Sequence, residues 1–378
     1  MLKIAIDVTS LRSKPSGIGV YITNLVQGLI KLQSESNFKL SLVYQPSLKK
    51  WLRGDLSPSY NHNFALETRC LPLPVTLSTL LTNFPNPILS LLEPSLGSPD
   101  ILQGTDHFVY PSHKSKNILT IHDLTFIKYP QYVNSIVKTY YSRLQKCLQW
   151  TDLIITFSEN TKQEINYYFN ISPEKIIVTP QASRFLLTPT TIHKSQVSYD
   201  FSVPYLLFVS TLEPRKNIVN LIKAFNYLKQ QHNIPHNLVL IGQKGWFYQP
   251  ILEAIANSPY YENIHHLDYL SDELVVLFYR LADVFVYPSY YEGFGLPVLE
   301  AMTLETPVIT SNTSCLPEIA KDAALLINPD DYQELATAVL RVISDRQLRQ
   351  DLIQRGKIRS SLYSWSKTAQ ATLEAYQL

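Results

Sequence analysis

VFVYPSYYEGFGLPVLE, residues 284–300, decides the fold. It opens on four apolar residues, Val284–Tyr287, without polar alternation, the pattern of a strand buried on both faces. Pro288 and Ser289 end the run, and Gly293 and Gly295 permit a tight turn. Pro297 fits the first turn of a helix, where its missing amide costs nothing. The stretch therefore reads strand, turn, helix, which is half of a βαβ unit. Glu292 falls in the turn, and Glu300 falls in the helix's first turn or just after it. Two carboxylates flanking a glycine turn suit sugar hydroxyls, while the turn's amides suit a phosphate.

The same alternation extends in both directions. Downstream come a helix over Pro297–Leu304 and a strand over Val308–Thr310. Upstream lie a helix over Asp272–Ala282 and strands at Ile264–Leu267, Leu238–Ile241 and Tyr205–Val209, with a helix over Asn217–Gln230. The amino-terminal half repeats the pattern. Strands are expected at Leu2–Val8, Phe38–Tyr44, Ile118–Ile121, Leu153–Phe157 and Ile176–Val178. Helices are expected from Tyr21 through Leu32, over Val133–Trp150, and after a Ser158 cap. Residues 45–100 carry eight prolines and read as short elements and long loops. Residues 181–204 are polar and aperiodic, as a boundary would be. The expected fold class is α/β, with two Rossmann-like domains whose parallel sheets face across a cleft. The expected division is 1–190, 200–360, and a last helix in 361–378 crossing back to the first domain.

Composition narrows the class. The chain has 378 residues, enough for two or three domains, and only 17% are charged. Lys and Arg number 33 against 31 Asp and Glu, which argues against nucleic acid as a partner. Cys70, Cys147 and Cys315 form neither a disulfide framework nor a metal-ligand pair, so a reducing cytoplasm is expected. The opening MLKIAIDVTS lacks the apolar stretch of a signal peptide. Thr76–Leu92 is leucine-rich without a basic residue. We read it as a core segment broken at Pro85 and Pro87. The alternative is an apolar hairpin meeting a lipid-linked acceptor or the inner face of the membrane.

Three further segments sit where strands end, the place at which open α/β sheets bind ligands. In Ser16-Gly-Ile-Gly-Val-Tyr21 a glycine loop precedes a helix, but Ile22 stands where a dinucleotide fingerprint needs its third glycine. His122 closes the strand Ile118–Ile121 and is expected to face the cleft; the structural alternative is a bond to a local carbonyl. In Ser210-Thr-Leu-Glu-Pro-Arg-Lys-Asn217, two cations precede a helix whose bare amides already favour an anion. They are out of place unless an anion joins them, and a guanidinium with an ammonium suits a diphosphate.

Taken together, these segments resemble the family 4 glycosyltransferases of GT-B architecture, closest to bacterial mannosyltransferase-like members found in polysaccharide or O-antigen assembly. The resemblance spans nearly the whole chain. It rests on Gly17–Tyr21, Ile121–Leu124, Ser210–Asn217, Glu292–Glu300 and Ser311–Glu318. It implies retention of configuration, no catalytic metal and no cofactor beyond a nucleotide-sugar donor. GDP-mannose is the expected donor, with a UDP-sugar as the alternative. The acceptor would be a saccharide or a lipid-linked saccharide. Arg215 and Lys216 would hold the diphosphate, Glu300 the ribose, Glu292 a sugar hydroxyl, and His122 the region of the sugar's C6 hydroxyl. Gly17 and Gly19 would lie near the phosphate and acceptor, and Gly293, Phe294, Gly295 and Leu296 would line the donor loop. Val20, Gln181 and Lys321 depart from the family pattern. A sugar-nucleotide epimerase, a phosphorylase and a non-catalytic sugar-nucleotide binding module are the competing classes.

Overall fold

The structure, a computed structural model, describes residues 1–12, 16–34, 36–58, 64–81, 93–187 and 198–378. It divides into two compact units. One comprises Met1–Ile127, Ser135–Gln181 and Ser364–Leu378; the other comprises Lys128–Asn134 and Ala182–Tyr363. Each is built on a parallel sheet with helices, so both are Rossmann-like.

The first unit's seven strands are β1 Leu2–Asp7, β2 Phe38–Tyr44, β3 Thr68–Cys70, β4 Ile101–Gly104, β5 Lys116–Thr120, β6 Leu153–Thr156 and β7 Ile176–Val178. Their order is β3-β2-β1-β4-β5-β6-β7. Strand β4 lies beside β1, with Ile4 paired to Ile101, and escapes the sequence reading. Its run is interrupted by Gln103, which is buried yet satisfied by the hydroxyls of Tyr21 and Thr120. The expected single helix over Val133–Trp150 is also corrected. It is split into the helices Ser135–Lys138 and Tyr140–Cys147, with 3-10 turns at Pro130–Tyr132 and Leu148–Trp150. The terminal helix Trp365–Gln377 packs on the helix Gly17–Gln33, where Gly28 admits Ala369 closely.

The second unit's six strands are β8 Tyr205–Val209, β9 Asn237–Ile241, β10 Ile264–Leu267, β11 Val284–Tyr287, β12 Val308–Ser311 and β13 Ala324–Ile327, in the order β10-β9-β8-β11-β12-β13. Every residue of β8, β9, β11 and β12 is buried, which explains the unbroken apolar runs of β8 and β11. In each sheet the strand order reverses once, between β1 and β4 and between β8 and β11. The loops leaving those strand pairs are thereby brought together at one point of each sheet.

The segment Thr76–Leu92 falls partly outside the described residues. Its described part, through residue 81, belongs to the helix Val75–Leu81. Among the described residues no helix is long and apolar enough to cross a membrane.

Candidate active site

At the reversal of the second sheet, the loop after β8 carries Arg215 and Lys216, and the loop after β11 carries Glu292. The three side chains meet. Arg215 donates from Nη1 to Glu292 Oε2 at 2.9 Å and to the Tyr291 carbonyl at 3.0 Å. Lys216 Nζ lies 2.6 Å from Glu292 Oε1 and 2.6 Å from the Tyr287 hydroxyl. The Tyr287 hydroxyl itself donates to Glu292 Oε1 at 3.0 Å. The anion that joins the two cations here is thus a carboxylate of the chain itself. The cations are also less accessible than a surface clamp would be: Lys216 is 4% exposed.

Local backbone sets these positions. Arg215 and Lys216 lie in the 3-10 turn Pro214–Lys216, closed by Asn217 at φ 60°. The Asn217 amide donates to the carbonyls of Pro288 and Pro329, tying this turn to the loops after β11 and β13. The Tyr290 amide donates to the Arg215 carbonyl, while Ser314 Oγ accepts from the Glu292 amide. Burial would raise the Glu292 carboxyl, but Arg215 and Lys216 outweigh it and hold its pKa at about 2. Burial and the neighbouring Arg215 charge lower Lys216, with Glu292 opposing. Glu213, 3.4 Å from Arg215 Nε, is pushed up by burial. Arg215 and Lys216 thus share one firmly ionised carboxylate, with Glu213 beside Arg215.

Glu300 belongs to a separate cluster. It is the fifth residue of the helix Leu296–Thr303, beyond the first turn. Its Oε1 is 2.9 Å from Arg184 Nε, and its Oε2 accepts from the Tyr279 hydroxyl at 3.4 Å. Arg184 Nη1 also reaches Asp272 at 3.2 Å. Gly295, at φ 95°, caps the helix. Phe294 is buried against Tyr363, with ring centroids 5.9 Å apart. Gly293, Gly295 and Leu296 complete the turn that separates the two carboxylates. Arg184 gave no signal in the sequence, because it lies in a polar, aperiodic stretch.

In the first unit the sheet reversal joins the loops after β1 and β4. Ser10 donates to Asp106 at 2.6 Å, and Thr105 donates to the Asp7 carbonyl at 2.6 Å. His107 Nδ1 lies 3.1 Å from Asp106, and its Nε2 lies 3.0 Å from the Asp123 carbonyl. Both acceptors require N–H groups, which describes an imidazolium. Burial opposes that charge, but Asp106 and then Asp123 outweigh it and raise the pKa. His122 Nε2 donates to the Thr105 carbonyl at 2.7 Å, the local bond named above as its structural alternative. Burial, and then the charge on His107, lower His122 to about 4, so it is neutral near pH 7. Asp106 and His107 were missed because β4 was missed. Gly17 and Gly19 do not lie in a loop: they are the first and third residues of the helix Gly17–Gln33, which Ser16 caps. Val20 is buried in that helix, Gln181 is buried, and Lys321 ends the helix Leu316–Ala320 at φ 50°. The conformation at Lys321 is one that glycine adopts more readily, so this departure alters a turn.

A family model described as Glycosyl transferases group 1 matches residues 192–359. O-antigen chain mannosyltransferase B of Escherichia coli is 31% identical over 287 residues, covering 74% of this chain and 74% of that protein. Sucrose-phosphate synthase of Thermosynechococcus elongatus has a similar fold, with a TM-score of 0.74 at 20% identity over 100% of this chain and 98% of that one. Anabaena HepE, solved in complex with UDP-glucose, gives a TM-score of 0.73 at 16% identity over 100% of both chains. The two Rossmann-like domains have the GT-B fold, and the likeness to the family model and to that mannosyltransferase makes the protein a nucleotide-sugar-dependent glycosyltransferase. The chain belongs to the glycosyl transferases group 1 family.

Proposed function

We propose that the protein transfers mannose from GDP-mannose, with retention of configuration, to a saccharide or lipid-linked saccharide acceptor in polysaccharide assembly. The observation that carries this reading is the buried convergence of Arg215 and Lys216 on Glu292. Loss of a nucleoside diphosphate passes through an oxocarbenium-like state in which negative charge grows on the leaving phosphate. Fixed cations in a pocket shielded from water stabilise that charge, and one such donor is worth ~2.7–4 kcal/mol in other enzymes. Arg215 and Lys216 fill this role, and the amides around Gly293–Leu296 assist. The leaving phosphate takes the acceptor's proton as the hydroxyl attacks from the same face. Glu292, ionised and fixed by three donors, accepts a hydrogen bond from a donor sugar hydroxyl. Glu300 accepts the ribose hydroxyls. His122, neutral, meets the donor sugar, with Gly17 and Gly19 on the phosphate and acceptor side. The work is done in the cytoplasm, at the inner face of the membrane when the acceptor is lipid-linked.

Mannose is supported by the similarity to the Escherichia coli mannosyltransferase. A thermal-shift panel of GDP-, UDP-, ADP- and dTDP-sugars tests the donor, since a ligand of the native state raises apparent stability by mass action. The expected result is a shift with GDP-mannose, followed by turnover. A shift with UDP-sugars and none with GDP-mannose removes the mannose assignment. Isomerised donor without an acceptor makes the enzyme an epimerase.

A further inference from the structure

Arg184 is the third residue of the second unit's main segment, Ala182–Tyr363. Its Nε lies 2.9 Å from Glu300 Oε1, and its Nη1 lies 3.2 Å from Asp272 Oδ1. The guanidinium lies over the Phe185 ring at 4.5 Å, and Phe185 in turn approaches Tyr279. Tyr279 completes the ring of contacts through its hydroxyl on Glu300 Oε2. The Glu300 side chain is only 5% exposed.

An ionised carboxylate offers about four acceptor positions, two on each oxygen. Tyr279 occupies one on Oε2, and Arg184 pairs with Oε1 as a charge contact at 2.9 Å. The positions that remain are enough for the two hydroxyls of a ribose. We propose that Arg184 is a positioning residue for the donor: it holds Glu300 oriented so that the free lobes of its carboxylate accept the ribose hydroxyls. The inference rests on the ribose role given to Glu300.

The groups facing Glu300 are Arg184, Asp272 and Tyr279, and Tyr269 adds a weaker interaction with Arg184. Burial raises the Glu300 carboxyl, Arg184 opposes this, and Asp272 adds to the rise. Removing the guanidinium therefore moves the carboxyl further up. A protonated carboxyl loses its charge and one acceptor position, and hydrogen bonds to a charged acceptor are the stronger kind. Without Arg184, ribose recognition must weaken as pH falls.

Calorimetric titration of the full chain tests this with GDP and 2′,3′-dideoxy-GDP, and with the corresponding UDP pair, from pH 5.5 to 8.5. The ratio of ribo- to dideoxy-nucleotide affinity cancels the titration of the phosphates. In the unaltered protein that ratio is expected to be about tenfold and flat with pH. In Arg184→Met it should fall severalfold from pH 8.5 to 5.5, whereas Arg184→Lys, which keeps the charge, should stay nearly flat. Glu300→Gln should bring the ratio close to one at every pH. A flat ratio in Arg184→Met, or equal loss for both nucleotides, overturns the role of Arg184 while leaving Glu300 on the ribose. A Glu300→Gln ratio equal to that of the unaltered protein removes the ribose reading and the proposal with it.

Discussion

Glu292 is the residue on which the second unit's site turns, because three donors depend on it. Replacing it by Gln removes the carboxylate that Lys216 and Arg215 share and leaves only Glu213, 3.4 Å from Arg215 Nε, beside them. Breaking a buried ion pair by removing one partner costs about 3–5 kcal/mol. Lys216→Met should cost less, because Arg215 still holds Glu292. Urea unfolding of the two variants measures this order, and equal midpoints would refute it. Acid adds a second residue-scale test. His122 titrates at about 4 in the fold against an ordinary 6.5. Below pH 6.5 the unfolded chain takes up that proton first, so the stability due to a neutral His122 is present above 6.5 and is lost as pH falls toward 4. The slope is at most ~1.4 kcal/mol per pH unit. His107 acts in the opposite sense, since its raised value gives stability that is present below 6.5 and lost as pH rises through its folded value. The comparison is therefore with His122→Gln, which should lose less stability than the unaltered protein between pH 6.5 and 4. Parallel curves would contradict the assignment.

At the scale of elements, the turn Glu292–Leu296 sets where both carboxylates stand. Gly295 has φ 95°, and a Cβ there would lie 2.9 Å from Leu316 Cδ2. Gly295→Ala should cost ~1–2 kcal/mol in backbone strain and lower kcat/KM by displacing Glu292 or Glu300. A variant with lowered melting temperature and intact kcat/KM would separate the turn from the site. The same elements explain what the sequence made legible. Val284–Tyr287 and Tyr205–Val209 were read to the residue, because strands of a covered parallel sheet are bounded apolar runs. Strand β4 was not, because Gln103 is satisfied by partners remote in sequence, and Asp106 and His107 went with it. The helices Gln249–Ala256, Tyr332–Ser344 and Arg346–Ser361 were likewise unread. The Glu292 loop and the Arg-Lys pair were legible as motifs. Their mutual pairing was not, since strand order creates it, and the Arg184–Glu300 contact has no local trace at all.

At the scale of the molecule, the last helix is part of the first unit's structure. Tyr376 hydrogen-bonds Gln103 in the core, Thr368 donates to the Pro180 carbonyl, and Ala369 occupies the space that Gly28 leaves open. A Cβ on Gly28 would stand 2.6 Å from the Ala369 Cβ. Gly28→Val should therefore overpack the helix pair at a cost of ~1–3 kcal/mol, read as faster amide exchange in β1 and β4. Unchanged exchange would show the helix to be dispensable there. For the whole enzyme, the central claim is retaining transfer driven by charge on a leaving diphosphate. The direct measurement is NMR of the sugar released or transferred from GDP-α-mannose, recorded before mutarotation. The account predicts that the first product carries the α configuration and forms together with GDP. A β product, or mannose epimerised while still bound to the nucleotide, would contradict it.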